Sequence, residues 1–80
     1  MDWLGGAQFV GGMRVFRAPD GRITRIGVDH VTYDSRGKPA WIGTRRLTYD
    51  RKGRMSHIGG DLIRLDSDGK PAWIGTARVW

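Results

Sequence analysis

Five residues stand at sixteen-residue intervals along this chain: Phe9, Arg25, Trp41, His57 and Trp73. A row that mixes aromatic rings with Arg is suited to single-stranded nucleic acid, because bases stack on the rings and guanidinium groups neutralise phosphate. Trp41, Trp73 and His57 are the candidate stacking residues, and Arg25 is the candidate cation within the row. The densest basic cluster follows Trp41 closely: Arg45, Arg46, Arg51, Lys52 and Arg54 are candidate phosphate contacts. Other uses of the same residues stay open. Large aromatics also fill cores and interfaces or stack on sugars, and cations also keep an edge-exposing sheet in solution.

Catalysis and metal binding find less support. His30 and His57 lie in different columns of the sixteen-residue frame, Cys and Glu are absent, and no H-x-x-H spacing occurs. "DSDG" at Asp66 to Gly69 opens like a calcium loop, yet the third oxygen ligand and the closing Glu are missing. Asp34, Asp50 and Asp66 recur where turn chemistry wants them. Ser35, Ser56 and Ser67 sit in or beside turns, with no base in evident reach. The expectation is a protein that is not an enzyme and has no catalytic residue, metal site or cofactor.

Charge narrows the partner. Fourteen Lys and Arg against eight acids, all of them Asp, give +6 and a pI near 10.8. That balance is the electrostatic footprint of proteins that meet polyanions such as nucleic acid. No apolar run approaches the roughly 20 residues of a membrane span, and "MDWLGGAQFVGG" lacks a basic stretch before its apolar letters. A soluble, untargeted, cytoplasmic chain that does not meet a membrane is therefore expected.

The elements that must hold the row come from the same count. Gly21, Gly37, Gly53 and Gly69 are sixteen apart, and Gly27, Gly43, Gly59 and Gly75 follow each by six. Ile26, Ile42, Ile58 and Ile74 precede the second set, and Val15, Val31, Leu47 and Ile63 stand six before the first, with Val79 continuing their column. Gly5, Val10 and Gly11 fall in register one period earlier. The units 29–44 and 61–76 agree at eleven of sixteen positions, and "GKPAWIGT" is common to both. The chain is thus one repeat domain, 1–80, framed as 1–12, 13–28, 29–44, 45–60 and 61–76, with 77–80 starting another unit.

Each unit has the signals of a β-hairpin. "VTYD" and "RLTYD" alternate β-branched or aromatic residues with polar ones, then run into "DSRGK" and "DRKGR", where Asp and Gly build a hairpin loop. Thirteen glycines leave no room for an amphipathic helix. A β-solenoid has the same period, but it would stack Arg22, Lys38, Arg54 and Lys70 as a like-charge ladder, whereas hairpins separate them. The prediction is an all-β, up-and-down antiparallel meander of nine or ten short strands. Both faces carry apolar residues, so the sheet should curl or close like a barrel, with self-association as one means of completing it. Register across the glycine loops is open: Trp41 could join Val31 or oppose it.

"YDRKGRMSHIGG" at Tyr49 to Gly60 and "YDSRGKPAWIG" at Tyr33 to Gly43 resemble the Tyr-Asp repeats of Rhs-type proteins, with a Tyr-Asp pair leading into a Gly-basic turn. The resemblance implies a curling β-sheet, and eighty residues are too few for the shell that family builds around a cargo.

The function expected from these features is a small, basic, non-enzymatic module that binds nucleic acid through Arg, Lys and Trp. The alternative is a structural or protein-interaction repeat, natural or designed, that self-assembles through its sheet as a homo-oligomer with its Trp residues buried between copies. A carbohydrate-binding lectin with one sugar site at each Trp is a third.

Overall fold

A computed structural model describes residues 2–80. Ten strands form one sheet in which each pairs with the next in antiparallel order. They are β1 (Phe9–Val10), β2 (Met13–Arg17), β3 (Ile23–Ile26), β4 (Asp29–Tyr33), β5 (Pro39–Ile42), β6 (Arg45–Tyr49), β7 (Met55–Ile58), β8 (Asp61–Leu65), β9 (Pro71–Ile74) and β10 (Ala77–Arg78). The all-β meander read from the turn pattern is therefore the fold, and among the described residues no helix is long and apolar enough to cross a membrane.

Two kinds of turn alternate, and each follows from its letters. In the long turn of unit 29–44, the Asp34 carboxylate accepts from the Arg36 and Lys38 amides at 2.8 and 3.0 Å. Asp50 and Asp66 repeat this arrangement one and two units on. Those amide bonds, foremost the one from Lys38 and the one from Arg54, hold the Asp34 and Asp50 carboxyls below their ordinary range. The short turn is a two-residue hairpin with glycine first. Gly43 has φ +61, and a Cβ there would stand 2.8 Å from Asp29 Oδ1, so both conformation and space call for glycine.

A bulge in each of the four units from 13 to 76 decides which side chains point inward. Thr32 pairs with Trp41 but Tyr33 pairs with Pro39, which leaves Ala40 unpaired. The same slip falls at Thr24, Ser56 and Ala72. Pro39 and Ile42, three residues apart, are consequently both buried, while Trp41 between them faces out. Trp41 thus opposes Val31, and the register left open above is resolved.

The inward columns form the core. Val10, Ile26, Ile42, Ile58 and Ile74 are 0–5 % exposed, and Val15, Val31, Leu47 and Ile63 pack with them. At the long-turn end two units reach back to the one before them: the Tyr33 hydroxyl donates to the Ile23 carbonyl and that of Tyr49 to the Pro39 carbonyl, both at 2.6 Å. Arg17 stands in the corresponding position of unit 13–28 and donates to the Ala7 carbonyl at 2.6 Å, while its guanidinium also pairs with Asp2. Residues 2–6 lie over this mouth of the barrel. Leu4 is 2 % exposed there, and the Trp3 indole donates to the Tyr33 hydroxyl at 3.2 Å.

The meander closes on itself. Val10 bridges Val79, and Phe9 and Trp80 exchange main-chain hydrogen bonds at 2.8 Å in both directions. A Cβ on Gly11 would meet the Ala77 side chain at 3.2 Å, just as one on Gly27 would meet Met13. β10 and β1 are therefore the two strands of a fifth hairpin, split between the first and last strands. Closure supplies the main-chain partners that self-association was expected to provide.

Burial also sets how Tyr49 titrates. Desolvation first, then the charges of Asp34 and Tyr33, push its phenol up to about 12. The unfolded phenol ionises near 10, so the stabilisation is fully present below pH 10 and is lost as pH rises through about 12. In a Tyr33→Phe background, where Tyr49 is the remaining tyrosine and desolvation and Asp34 still act on it, ultraviolet titration should show the phenolate forming well above pH 10. Ionisation near pH 10 in the folded protein would show that the ring is not buried as described.

Candidate nucleic-acid interface

The alternation that buries one face of each strand delivers three outward columns around the barrel wall. The first is Phe9, Arg25, Trp41, His57 and Trp73. The second is Arg14, His30, Arg46, Leu62 and Arg78, and the third is Phe16, Thr32, Thr48, Arg64 and Trp80. Cross-strand pairing sets them side by side: Trp41 lies between Thr32 and Arg46, His57 between Thr48 and Leu62, and Trp73 between Arg64 and Arg78. These fifteen positions hold five Arg, two His, five large aromatic residues and no Asp.

Every acid lies elsewhere. Asp29 and Asp61 stand at the starts of strands on the short-turn rim, Asp20, Asp34, Asp50, Asp66 and Asp68 on the long turns, and Asp2 in the segment across the mouth. The wall is therefore a basic, aromatic belt between two rims of mixed charge. Two of the rim acids are in ion pairs: Arg45 meets Asp61 at 3.2 Å and Arg54 meets Asp50 at 3.0 Å.

Within the belt, two of the five sectors turn their rings into internal contacts. Phe9 and Trp80 stack with centroids 4.8 Å apart, and the Arg25 guanidinium lies 4.2 Å from the centre of Phe16. Arg25 Nε is buried there without a hydrogen-bond partner. The other three sectors present open side chains. Trp41 is 43 % exposed and Trp73 40 %, and His57, exposed between them, has Nδ1 3.1 Å from the Ser56 hydroxyl. Equivalent positions are two strand spacings apart, about 9.6 Å.

The sequence-predicted residues divide accordingly. Trp41, Trp73, His57, Arg25 and Arg46 share the belt. Arg45 belongs to the short-turn rim, and Arg51, Lys52 and Arg54 belong to the long turn at the opposite end. Nearness in sequence misleads here because a five-residue strand separates one end of the barrel from the other. Arg14, Arg64 and Arg78 join the belt, as do Phe16 and Trp80, although no local cluster marks them. Their signal is positional, since they stand two residues apart in the outward half of each alternation.

An apolar cavity of about 200 Å³ at the short-turn end touches the Ile26, Ile42, Ile58 and Ile74 column, with Arg45 and Asp61 at its rim. Those aliphatic chains are at most 5 % exposed, so the cavity lies over the end of the core. Comparison with family models, with curated proteins and with solved structures finds nothing that matches this chain.

Proposed function

We propose that this closed barrel binds single-stranded nucleic acid along its outer wall. The observation that carries the proposal is the acid-free belt, in which open Trp41 and Trp73 faces are flanked by Arg46, Arg64 and Arg78. Bases stack on the two indoles, with His57 as the ring between them, and the flanking guanidinium groups hold phosphates. Arg25, folded onto Phe16, stiffens the neighbouring sector and contributes field. Arg45, Arg51, Lys52 and Arg54 act at longer range, adding to the positive potential that draws a strand in.

The geometry sets a length requirement. A stacked strand advances about 3.4 Å per nucleotide, far less than the roughly 9.6 Å between successive positions of the first column. Bases on Trp41 and Trp73 are therefore separated by unstacked spacer nucleotides, and very short oligonucleotides engage one indole only.

Binding of a labelled oligothymidine strand, measured across salt concentrations, tests this directly. Trp41→Ala and Trp73→Ala should each remove about 1–3 kcal/mol, roughly five- to 150-fold in Kd. Replacing Arg46, Arg64 or Arg78 should flatten the salt dependence by about 0.7 in logarithmic slope for each phosphate that is no longer neutralised. A salt-stable oligomer with blue-shifted Trp emission and no response to the strand would refute the proposal and assign the belt to contacts between copies. Binding of a neutral oligosaccharide in place of the strand would assign it to sugars.

A further inference from the structure

The mouth at the long-turn end is roofed on one side only. Where residues 2–6 cross it, Leu4 is buried and Trp3 bonds Tyr33. Beside Trp3 a groove of about 330 Å³ stays open. Lys38, Arg54 and Lys70 line it, each the residue after the turn glycine of its unit, and no Asp lines it. Sixteen residues separate each from the next in sequence, and ring closure brings them around one opening.

Lys38 and Arg54 are exposed and Lys70 is half-buried, and each has a neighbour that sets where it lies. Lys38 Nζ lies 5.2 Å from the centre of the Tyr49 ring and 3.6 Å from where a Cβ on Gly53 would stand. The Lys70 stem runs along Gly5, close enough that a Cβ there would touch it at 3.4 Å. Arg54 is steadied by Asp50 through Nε, which leaves its terminal nitrogens to face a ligand. Among the described residues neither lysine is in an ion pair. Their own backbone amides donate to the turn carboxylates of Asp34 and Asp66, which fixes where each side chain starts.

We propose that this groove binds a phosphomonoester, with its phosphate among Lys38, Arg54 and Lys70 and its organic part against Trp3 and Met55. A phosphate group carries about −1.5 to −2 charge and three strong acceptor oxygens, which suits a groove lined by three cations better than a carboxylate does. The volume lies near the lower end of ligand-pocket sizes, about 300 Å³, enough for a phosphate with one ring. The site is separate from the outer belt and stands whether or not the belt binds a strand.

Calorimetric titration with phenyl phosphate tests it. Lys38→Met and Lys70→Met should each weaken binding about tenfold, the loss of one charge-assisted hydrogen bond, with circular dichroism confirming that both variants fold. Arg36→Met removes the same charge from the tip of a long turn outside the groove and should leave binding unchanged. No binding by the wild-type protein, or equal weakening by Arg36→Met, would overturn the proposal. Two sources of the phosphate are told apart by competition. A 5′-phosphorylated oligonucleotide that displaces phenyl phosphate at least tenfold better than its 5′-hydroxyl counterpart identifies a strand end, and equal competition identifies a free small molecule.

Discussion

Deleting residues 77–80 is expected to abolish cooperative folding, although these four residues include only the two-residue strand β10. They complete the fifth hairpin. Removed with them are the Gln8, Phe9 and Gly11 amide bonds to Trp80 and Arg78, the Trp80 amide bond to Phe9, and the Val79 amide bond to Ala72. The indole bond from Trp80 to Gly11 and the stack on Phe9 go as well. At a net value of about 0.5–1.5 kcal/mol each, these six hydrogen bonds are worth roughly 3–9 kcal/mol. An 80-residue domain has only about 4–12 kcal/mol in total. Thermal unfolding followed by circular dichroism should show no sharp transition in the truncated chain. The freed edges of β1 and β9 should also make it associate as concentration rises. Trp80→Ala keeps the main-chain bonds and should cost only about 1 kcal/mol beyond its area. A truncated chain that melts cooperatively within a few degrees of the wild type would show that closure does not hold the ring together.

Ile58→Ala is expected to be the most damaging single substitution in the core, because Ile58 is 0 % exposed. Truncating a buried Ile to Ala costs about 2–5 kcal/mol in lost transfer energy and cavity formation. For a domain of this size that is a Tm drop of about 8 °C or more. Ile58→Val should cost about 0.5–1.5 kcal/mol, and His57→Ala, one residue away on the belt, within about 0.5 kcal/mol. The contrast tests the register as much as the packing. The bulge at Ser56 sends Ile58 inward and His57 outward. A result in which His57→Ala destabilises as much as Ile58→Ala would place both on one buried surface and refute that assignment.

The hairpins, their number and their order are legible in the letters, because they depend on interactions within five or six residues. Asp34 and Gly37 specify the long turn, Gly43 the short one, and the sixteen-residue spacing repeats both along the chain. Glycine frequency rules out helix by the same local logic. The belt is legible in half. The Trp41, His57 and Trp73 row follows from the period, as does Arg46 beside it. Three features are not local. The unpaired Ala40 and its equivalents shift the alternation by one residue, and whether a strand takes a bulge depends on how both partners pack against the core. Closure joins β1 to β10 across nearly the full length of the chain, and no sequence neighbour of Phe9 announces Trp80. The separation of charge is decided the same way. Arg45, Arg46 and Arg54 look like one cluster in the chain, but adjacent residues of a strand point to opposite faces and its ends point to opposite rims. A ring with an inside, an outside and two mouths divides the three among rim, belt and groove, and that division exists only once the ring has closed.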